Sequence, residues 1–307
     1  MLKFIIRRLL ISIVVLWGVS TLVFLMIHLL PGDPVEVMLS RSGGSAEKIA
    51  SIRQQLGLDA PLPVQYVRFL SHTARGDLGR SIFNDMKVTE LIATQLPATL
   101  ELAGSAMLVA LLLGVGLGLL AALKHNTWID NVCVAISVIG VSVPIFWLGL
   151  LLILVFAAEL RWLPATGYGG FKNLILPALA LGFASSGSMA RLLRASMLDV
   201  LRQEYVTTAR AKGLRERVVV LRHAMRNALI PVVTMIGMQV GFLLGGTVVT
   251  ETVFSRPGLG RLIINAILWK DFPVVQGGVL VTAVTYMLVN LLVDISYGLI
   301  DPRIRYE

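Results

Sequence analysis

Cysteine is almost absent from this chain: Cys133 stands alone inside an apolar run. No disulfide can form within the chain, and no Cys/His metal spacing exists. The four histidines, His28, His72, His125 and His223, are scattered, which argues against a metal centre. There is no Gly-x-x-x-x-Gly-Lys-Ser/Thr stretch and not even a Gly-Lys pair, so the backbone cradle and lysine of a phosphate loop are missing. Gly-x-Ser-x-Gly and His-Glu-x-x-His are missing too. The run Gly114-Val-Gly-Leu-Gly118 lies in an apolar segment with no strand before it, so it is not a dinucleotide site. No catalytic set emerges, and an enzyme is not expected. Charge is scarce as well: 15% of the 307 residues are Asp, Glu, Lys or Arg, against about a quarter in soluble domains. A soluble fold is excluded.

What the chain has instead is apolar length. Hydrophobic residues make up 56% of it, and its mean hydropathy is +0.81. Crossing about 30 Å of hydrocarbon takes roughly 20 apolar residues. Six runs qualify, at about 9–30, 99–123, 132–157, 174–193, 227–250 and 275–299. The first follows Lys3, Arg7 and Arg8 but outruns a signal peptide and meets no small-residue cleavage site before Pro31. It reads as a retained helix. The expected fold class is an all-α membrane protein of six transmembrane helices, with residues 1–307 as one domain.

The formal charge of +9 then sets orientation and does not imply nucleic acid. Lys3, Arg7 and Arg8, nine basic residues between Arg191 and Arg226, and Arg303 with Arg305 all fall on one side of a six-span chain. The positive-inside rule makes that side, with both termini, cytoplasmic. The opposite side receives 31–98, 158–173 and 251–274, and in 31–98 seven basic and seven acidic residues cancel. Residues 31–98 are expected to fold as a cap. Pro31-Gly-Asp-Pro34 and Gly76-Asp-Leu-Gly79 are turns, and 46–56 and 64–70 have helical spacing.

Gly114/Gly118 and Gly237/Gly241/Gly245 have the spacing that lets helices approach closely in lipid. Packing within the chain is the leading reading, and a seam or pore-facing surface is the other. Pro144 and Pro231 are expected to loosen their spans. Ionisable groups in or near spans usually mark a cavity or partner. Here they are His28, Glu101, Glu251 and Asp294, all close to span ends. Of these, Glu101, Glu251 and Asp294, with Pro144, Gly241 and Gly245, are the candidates for a pathway or gate. No chain of acids and histidines crosses the membrane, which weakens a proton-coupled carrier.

The most informative stretch is Glu204-Tyr-Val-Thr-Thr-Ala-Arg-Ala-Lys-Gly213, within a cytoplasmic loop at 194–226. Ala209, Ala211 and Lys212 favour helix, and Gly213 supplies a break. Beyond it, Val218, Val219, Leu221 and Ala224 alternate with Arg217, Arg222 and Arg226, an amphipathic pattern suited to a membrane surface. Lipid binding alone does not account for a compact tip of small residues, which suits insertion into a groove on another protein.

That stretch resembles the cytoplasmic signature of integral-membrane permease subunits of binding-protein-dependent ABC importers, and more narrowly the first permease subunit of the dipeptide/oligopeptide/nickel group. Pro31-Gly-Asp-Pro34, Leu56-Gly-Leu-Asp59, Gly76-Asp-Leu-Gly79, Thr250 to Gly260, Asp271 to Gln276 and Asp301 to Arg305 carry the same resemblance from end to end. Where the wider motif begins Glu-Ala-Ala, this chain has Thr207-Thr208-Ala209, and its Gly213–Pro231 interval is longer, as in the peptide/nickel branch. The resemblance implies a type I importer fold in the bacterial inner membrane. It also implies a second, similar permease, two ATP-binding subunits carrying ATP and magnesium, and an extracytoplasmic solute-binding protein. The docking contact would comprise Tyr205, Thr207, Thr208, Ala209, Ala211, Lys212 and Gly213, oriented by ion pairs of Glu204 and Arg210. Short peptides lead as cargo, with glutathione, nickel chelates, opines and oligosaccharides behind. A self-sufficient channel or gradient-driven carrier is the alternative from another class.

Overall fold

The computed structural model describes residues 2–29, 35, 53–54 and 59–300. Pro31-Gly-Asp-Pro34, the helical spacing over 46–52 and the Asp301–Arg305 stretch lie outside the described residues, as does the Asp294 side chain. The elements are α1 (Leu2–His28), α2 (Leu62–Ala74), α3 (Val88–Leu123), α4 (Trp128–Ser142), α5 (Ile145–Glu159), α6 (Lys172–Leu201), α7 (Glu204–Ala211), α8 (Glu216–Val253), α9 (Leu259–Trp269) and α10 (Phe272–Ile300). Apart from one isolated bridge between Arg80 and Lys87, the described residues are helical or irregular. Five helices are long and apolar enough to cross a membrane, and six if α4 and α5 count as one span.

That pair departs from the expected third span. The axes of α4 and α5 are bent by 108°, so the apolar run at 132–157 is two short helices and not one straight crossing. Pro144 is the cause. It cannot offer an amide to the Gly140 carbonyl, and Val143 and Pro144 are both extended, with ψ 126° and 135°. Pro231, by contrast, sits inside a continuous α8. The irregularity there is a π-helical segment at Val219–Ala224. Two expected loops are also partly helical: α3 begins at Val88, and α9 occupies the middle of 251–274.

The chain divides into two compact units, one of residues up to 98 with 257–291, the other of 99–256 with 292–307. In the first, Phe24 of α1 packs on Tyr66 and Phe69 of α2, while Thr21 Oγ1 and Tyr66 Oη lie 2.7 Å apart. Gly76 and Gly79, at φ +78° and +80°, make the turn that follows α2, a conformation only glycine adopts without strain. Val88, Ile92, Leu259, Ala266, Val274 and Val275 form the core of this unit. Asp271, which precedes α10, accepts from Ser81 Oγ at 2.5 Å and from the Ile82 amide at 3.3 Å. Burial pushes its carboxyl above the usual range, against the pull of the Ser81 and backbone hydrogen bonds.

In the second unit α6 is central. Its buried face carries Ala178, Gly182, Ser185, Ser186, Gly187 and Ala190. A Cβ on Gly118 of α3 would stand 2.6 Å from the Ala190 carbonyl oxygen, and one on Gly114 would stand 2.8 Å from Met189 Cβ. The Gly114/Gly118 pair therefore serves packing within the chain, the leading expectation. Leu102, Ala106, Leu181 and Leu243 join α3, α6 and α8 around one core cluster, and Ala122, Leu193, Met197, Val220 and Ala228 join them around another.

Two outcomes are expected. Replacing Gly118 with Leu will lower the melting temperature of the purified protein, by overpacking costing about 1–3 kcal/mol, whereas Gly116→Leu, with open space around it, will not. Because the Asp271 carboxyl is raised in the folded state, the folded chain binds the proton more tightly than the unfolded one. Its contribution is complete below the ordinary carboxylate value, about 3.9, and declines as pH rises through the raised value. Asp271→Asn, read in the same thermal scans against pH, will remove that decline.

Candidate functional site

After α6 the chain turns through Gln203, which is extended, into the eight residues of α7. Glu204 lies in the first turn, where the helix dipole favours an acid. Thr208 Oγ1 donates back to the Glu204 carbonyl at 2.9 Å. Gly213 closes the helix at φ +76° and donates its amide to the Arg210 carbonyl at 2.9 Å. Arg215 is extended again, and α8 follows. The two helical pieces expected around Gly213 are therefore present.

α7 is anchored by a narrow face. Val206 and Ala209, three residues apart, are buried with Val219 against Val200 and Leu201. Ala209, expected at the docking contact, points inward and is withdrawn from it. Glu204, Tyr205, Thr207, Thr208, Arg210, Ala211, Lys212 and Gly213 are exposed. The hairpin is held from outside as well. Arg210 donates from Nε to Glu216 Oε2 at 3.1 Å and from Nη2 to Oε1 at 2.7 Å, and the carboxylate beside it raises the Arg210 pKa. Asn227 Nδ2 of α8 donates to the Tyr205 hydroxyl at 2.7 Å. The orienting ion pair expected for Arg210 thus exists with Glu216, whereas Glu204 joins the hairpin through its backbone carbonyl. Of the amphipathic set beyond Gly213, Val219 and Ala224 are buried, while Val218 and Leu221 remain exposed.

Where α6 approaches this hairpin sits a polar cluster that sequence reasoning missed. Asp130, 2% exposed in the first turn of α4, receives two bonds from Arg194 of α6, Nε to Oδ1 and Nη2 to Oδ2, both 2.7 Å. The Asn126 amide donates to Oδ2 at 3.1 Å, and His125 Nδ1 lies 3.1 Å from the same oxygen. In sequence Arg194 reads only as one of the basic residues between the fourth and fifth spans. The available signal was an aspartate two residues before an apolar run, with an arginine just after another.

The pathway candidates divide. Glu101 is about half exposed and accepts from Arg256 Nη2 at 2.5 Å. Arg256 is 1% exposed, lies over the Tyr168 ring at 4.9 Å and donates its amide to the Glu251 carbonyl at 2.8 Å. Glu251 is fully buried and accepts from Thr99 Oγ1 at 2.6 Å. Glu101 and Glu251 are thus brought together through Arg256, a residue not singled out in the sequence. Pro144 borders a cavity of ≈ 370 Å³ with Ser142, Ser188, Gln239 and Phe242. Gly245 is exposed, with open space around it, and Gly241 is half-buried.

The family described as "Binding-protein-dependent transport system inner membrane component" matches residues 114–306, and its N-terminal companion family matches residues 1–103. The chain is 46% identical over 307 residues, the whole of both chains, to the "Glutathione transport system permease protein GsiC" of Salmonella paratyphi A. Its identity to the protein of that name in Escherichia coli O6:H1 is 47% over the same full lengths. Among solved structures, an inward-facing MetNI methionine ABC transporter aligns with a TM-score of 0.57 at 16% identity, covering 69% of this chain and 96% of that one. An amino acid ABC transporter aligns with a TM-score of 0.52 at 17% identity, covering 70% and 94%. At such identities these two establish the fold, that of type I importer permeases.

Asp130→Asn will leave the Arg194 guanidinium beside a neutral partner. A broken buried pair costs about 3 kcal/mol, so unfolding of the detergent-purified protein will shift by most of that amount. Glu216→Gln at the exposed pair will shift it by less than about 1 kcal/mol.

Proposed function

The chain belongs to the family of binding-protein-dependent transport system inner membrane components, and on that premise we propose that it forms one half of the pore of an ATP-driven importer of short peptides. It is a multi-pass permease of the bacterial inner membrane and not an enzyme. The second half is a similar permease. Two ATP-binding subunits, holding ATP and magnesium, dock on the hairpin of α7, and an extracytoplasmic binding protein delivers the solute. Both termini and the hairpin face the cytoplasm in this reading, the side that the basic residues at 3–8 and 191–226 favour for a six-span chain.

The observation that carries this reading is the exposed face of α7. Thr207, Thr208, Ala211 and Lys212 form a compact, small-residue surface. Val206, Ala209 and the Arg210–Glu216 pair anchor it to α6 and α8. Such a hairpin can seat in a cleft and pass on the cleft's movement, because it is tied to the ends of two spans. ATP binding elsewhere then biases a two-state element, inward-open against outward-open. Relatives named for glutathione transport at 46–47% identity over the full length support a cargo among small peptide-like solutes, glutathione included.

Gly213→Trp tests the reading. A side chain at φ +76° costs roughly 1–2 kcal/mol and blocks the tip. Peptide uptake by cells carrying the full transporter will fall by at least about tenfold, while the variant reaches the membrane in normal amount. Undiminished ATP-dependent uptake by this variant would overturn the docking assignment. Gradient-driven peptide flux through liposomes containing this chain alone would establish a self-sufficient carrier.

A further inference from the structure

The break between α4 and α5 has a consequence for the solute path. α4 starts beside the charged cluster of Asp130, Arg194 and His125 and has 15 residues, about 22 Å of helix. That is short of about 30 Å of hydrocarbon, so Val143 and Pro144 lie at membrane depth. The Gly140 carbonyl has no amide to accept from, because Pro144 has none. The other groups at the two helix ends, the Val141 and Ser142 carbonyls and the Ile145 to Trp147 amides, lack i±4 partners too. Lipid cannot satisfy such groups. Non-helical backbone is tolerated at that depth only within protein or beside water.

Beside this break lies the ≈ 370 Å³ cavity, and none of its lining residues is charged. Its polar groups are organised. Gln239 Nε2 donates to Ser188 Oγ at 2.7 Å, and Ser188 Oγ donates to the Ser185 carbonyl at 3.1 Å. That chain leaves Gln239 Oε1 as an acceptor, and the Ser142 hydroxyl as donor and acceptor, without partners among the described residues. Phe242, half exposed, supplies an apolar wall.

We propose that this cavity is a transit subsite for the backbone amide of a short peptide, with Gln239 Oε1 accepting its N–H and Ser142 and the helix-end amides donating to its C=O. The assignment rests on the proposed importer function and goes beyond it by naming where the solute is held and through which group. An amide matches a donor-plus-acceptor pair and needs no counter-charge, whereas a lone carboxylate or ammonium would lose its hydration here without a partner. Neutral hydrogen bonds also hold weakly enough for release, as conduction requires.

The test uses the complete transporter, with Cys133→Ser as background, in inside-out membrane vesicles. Ser142→Cys is expected to react with a water-soluble methanethiosulfonate, and Ser137→Cys, at a buried position in the same helix, about tenfold more slowly. Triglycine at millimolar concentration will slow the Ser142→Cys reaction several-fold, and free glycine will not. Gln239→Leu will abolish that protection, and Gln239→Asn will retain part of it. An unreactive Ser142→Cys, or equal protection by glycine and triglycine, overturns the subsite. ATP-dependent peptide uptake by the unaltered transporter is measured alongside. Its absence counts against the importer function, whereas its presence with an unprotected Ser142→Cys removes the subsite alone.

Discussion

Close approach of helix backbones through small side chains on α6 is the constraint on which the 99–256 unit depends. In hydrocarbon, apolar side chains gain little by leaving lipid for protein, so helices associate by shape. α6 supplies the shape with Gly182, Ser185, Ser186, Gly187 and Ala190. Each neighbour answers with its own small residue: Gly114 and Gly118 on α3, Gly140 on α4 and Gly246 on α8. A Cβ at Gly182 would come within 2.6 Å of the Ala106 carbonyl, and one at Gly187 would meet the Ser137 carbonyl. The serines on this face donate to carbonyls of their own helix and so present no unpaired hydroxyl to their neighbours.

Charge is used sparingly and in pairs. Arg194 and Asp130 fasten the start of α4 to α6 near the hairpin, and Arg256 fastens Glu101 to the turn that follows α8. The bidentate contact of Arg194 suits such a place, since one planar group satisfies both carboxylate oxygens at once. Between these fastenings, the α4–α5 break and its cavity carry hydroxyl and amide groups but no charge. The proposed mechanical link at the hairpin and the proposed neutral passage in the spans are compatible because they use different chemistry.

Much of the candidate site was legible along the chain. Small, helix-favouring residues ending at Gly213 announced a short helix with a break after it, and α7 closing at φ +76° agrees. Which residues of that helix face outward was not legible. The tip is only eight residues long, and its anchoring face consists of Val206 and Ala209, too few for a period to be read. Ala209 looks like its exposed neighbours in sequence, and only Val219, Val200 and Leu201 turn it inward. Glu251 is the same case. An acid near a span end reads as a pathway candidate, and only the fold shows that it is fully buried and accepts from Thr99 Oγ1.

The sequence by itself determined the class of the protein. Apolar runs of about twenty residues have no stable place in water, the basic loops select a side, and the hairpin signature marks the family, all properties of contiguous segments. Tertiary structure decided what depends on residues far apart: that Asp130 meets Arg194, that Glu101 meets Arg256, and that Gln239 and Ser188 border the break at Pro144. The bend itself belongs to the second group. A proline in an apolar run is compatible with a continuous helix, as Pro231 demonstrates, or with a 108° turn, as Pro144 does. The difference is whether the surrounding helices supply protein or a water-lined space for the backbone groups that the proline releases.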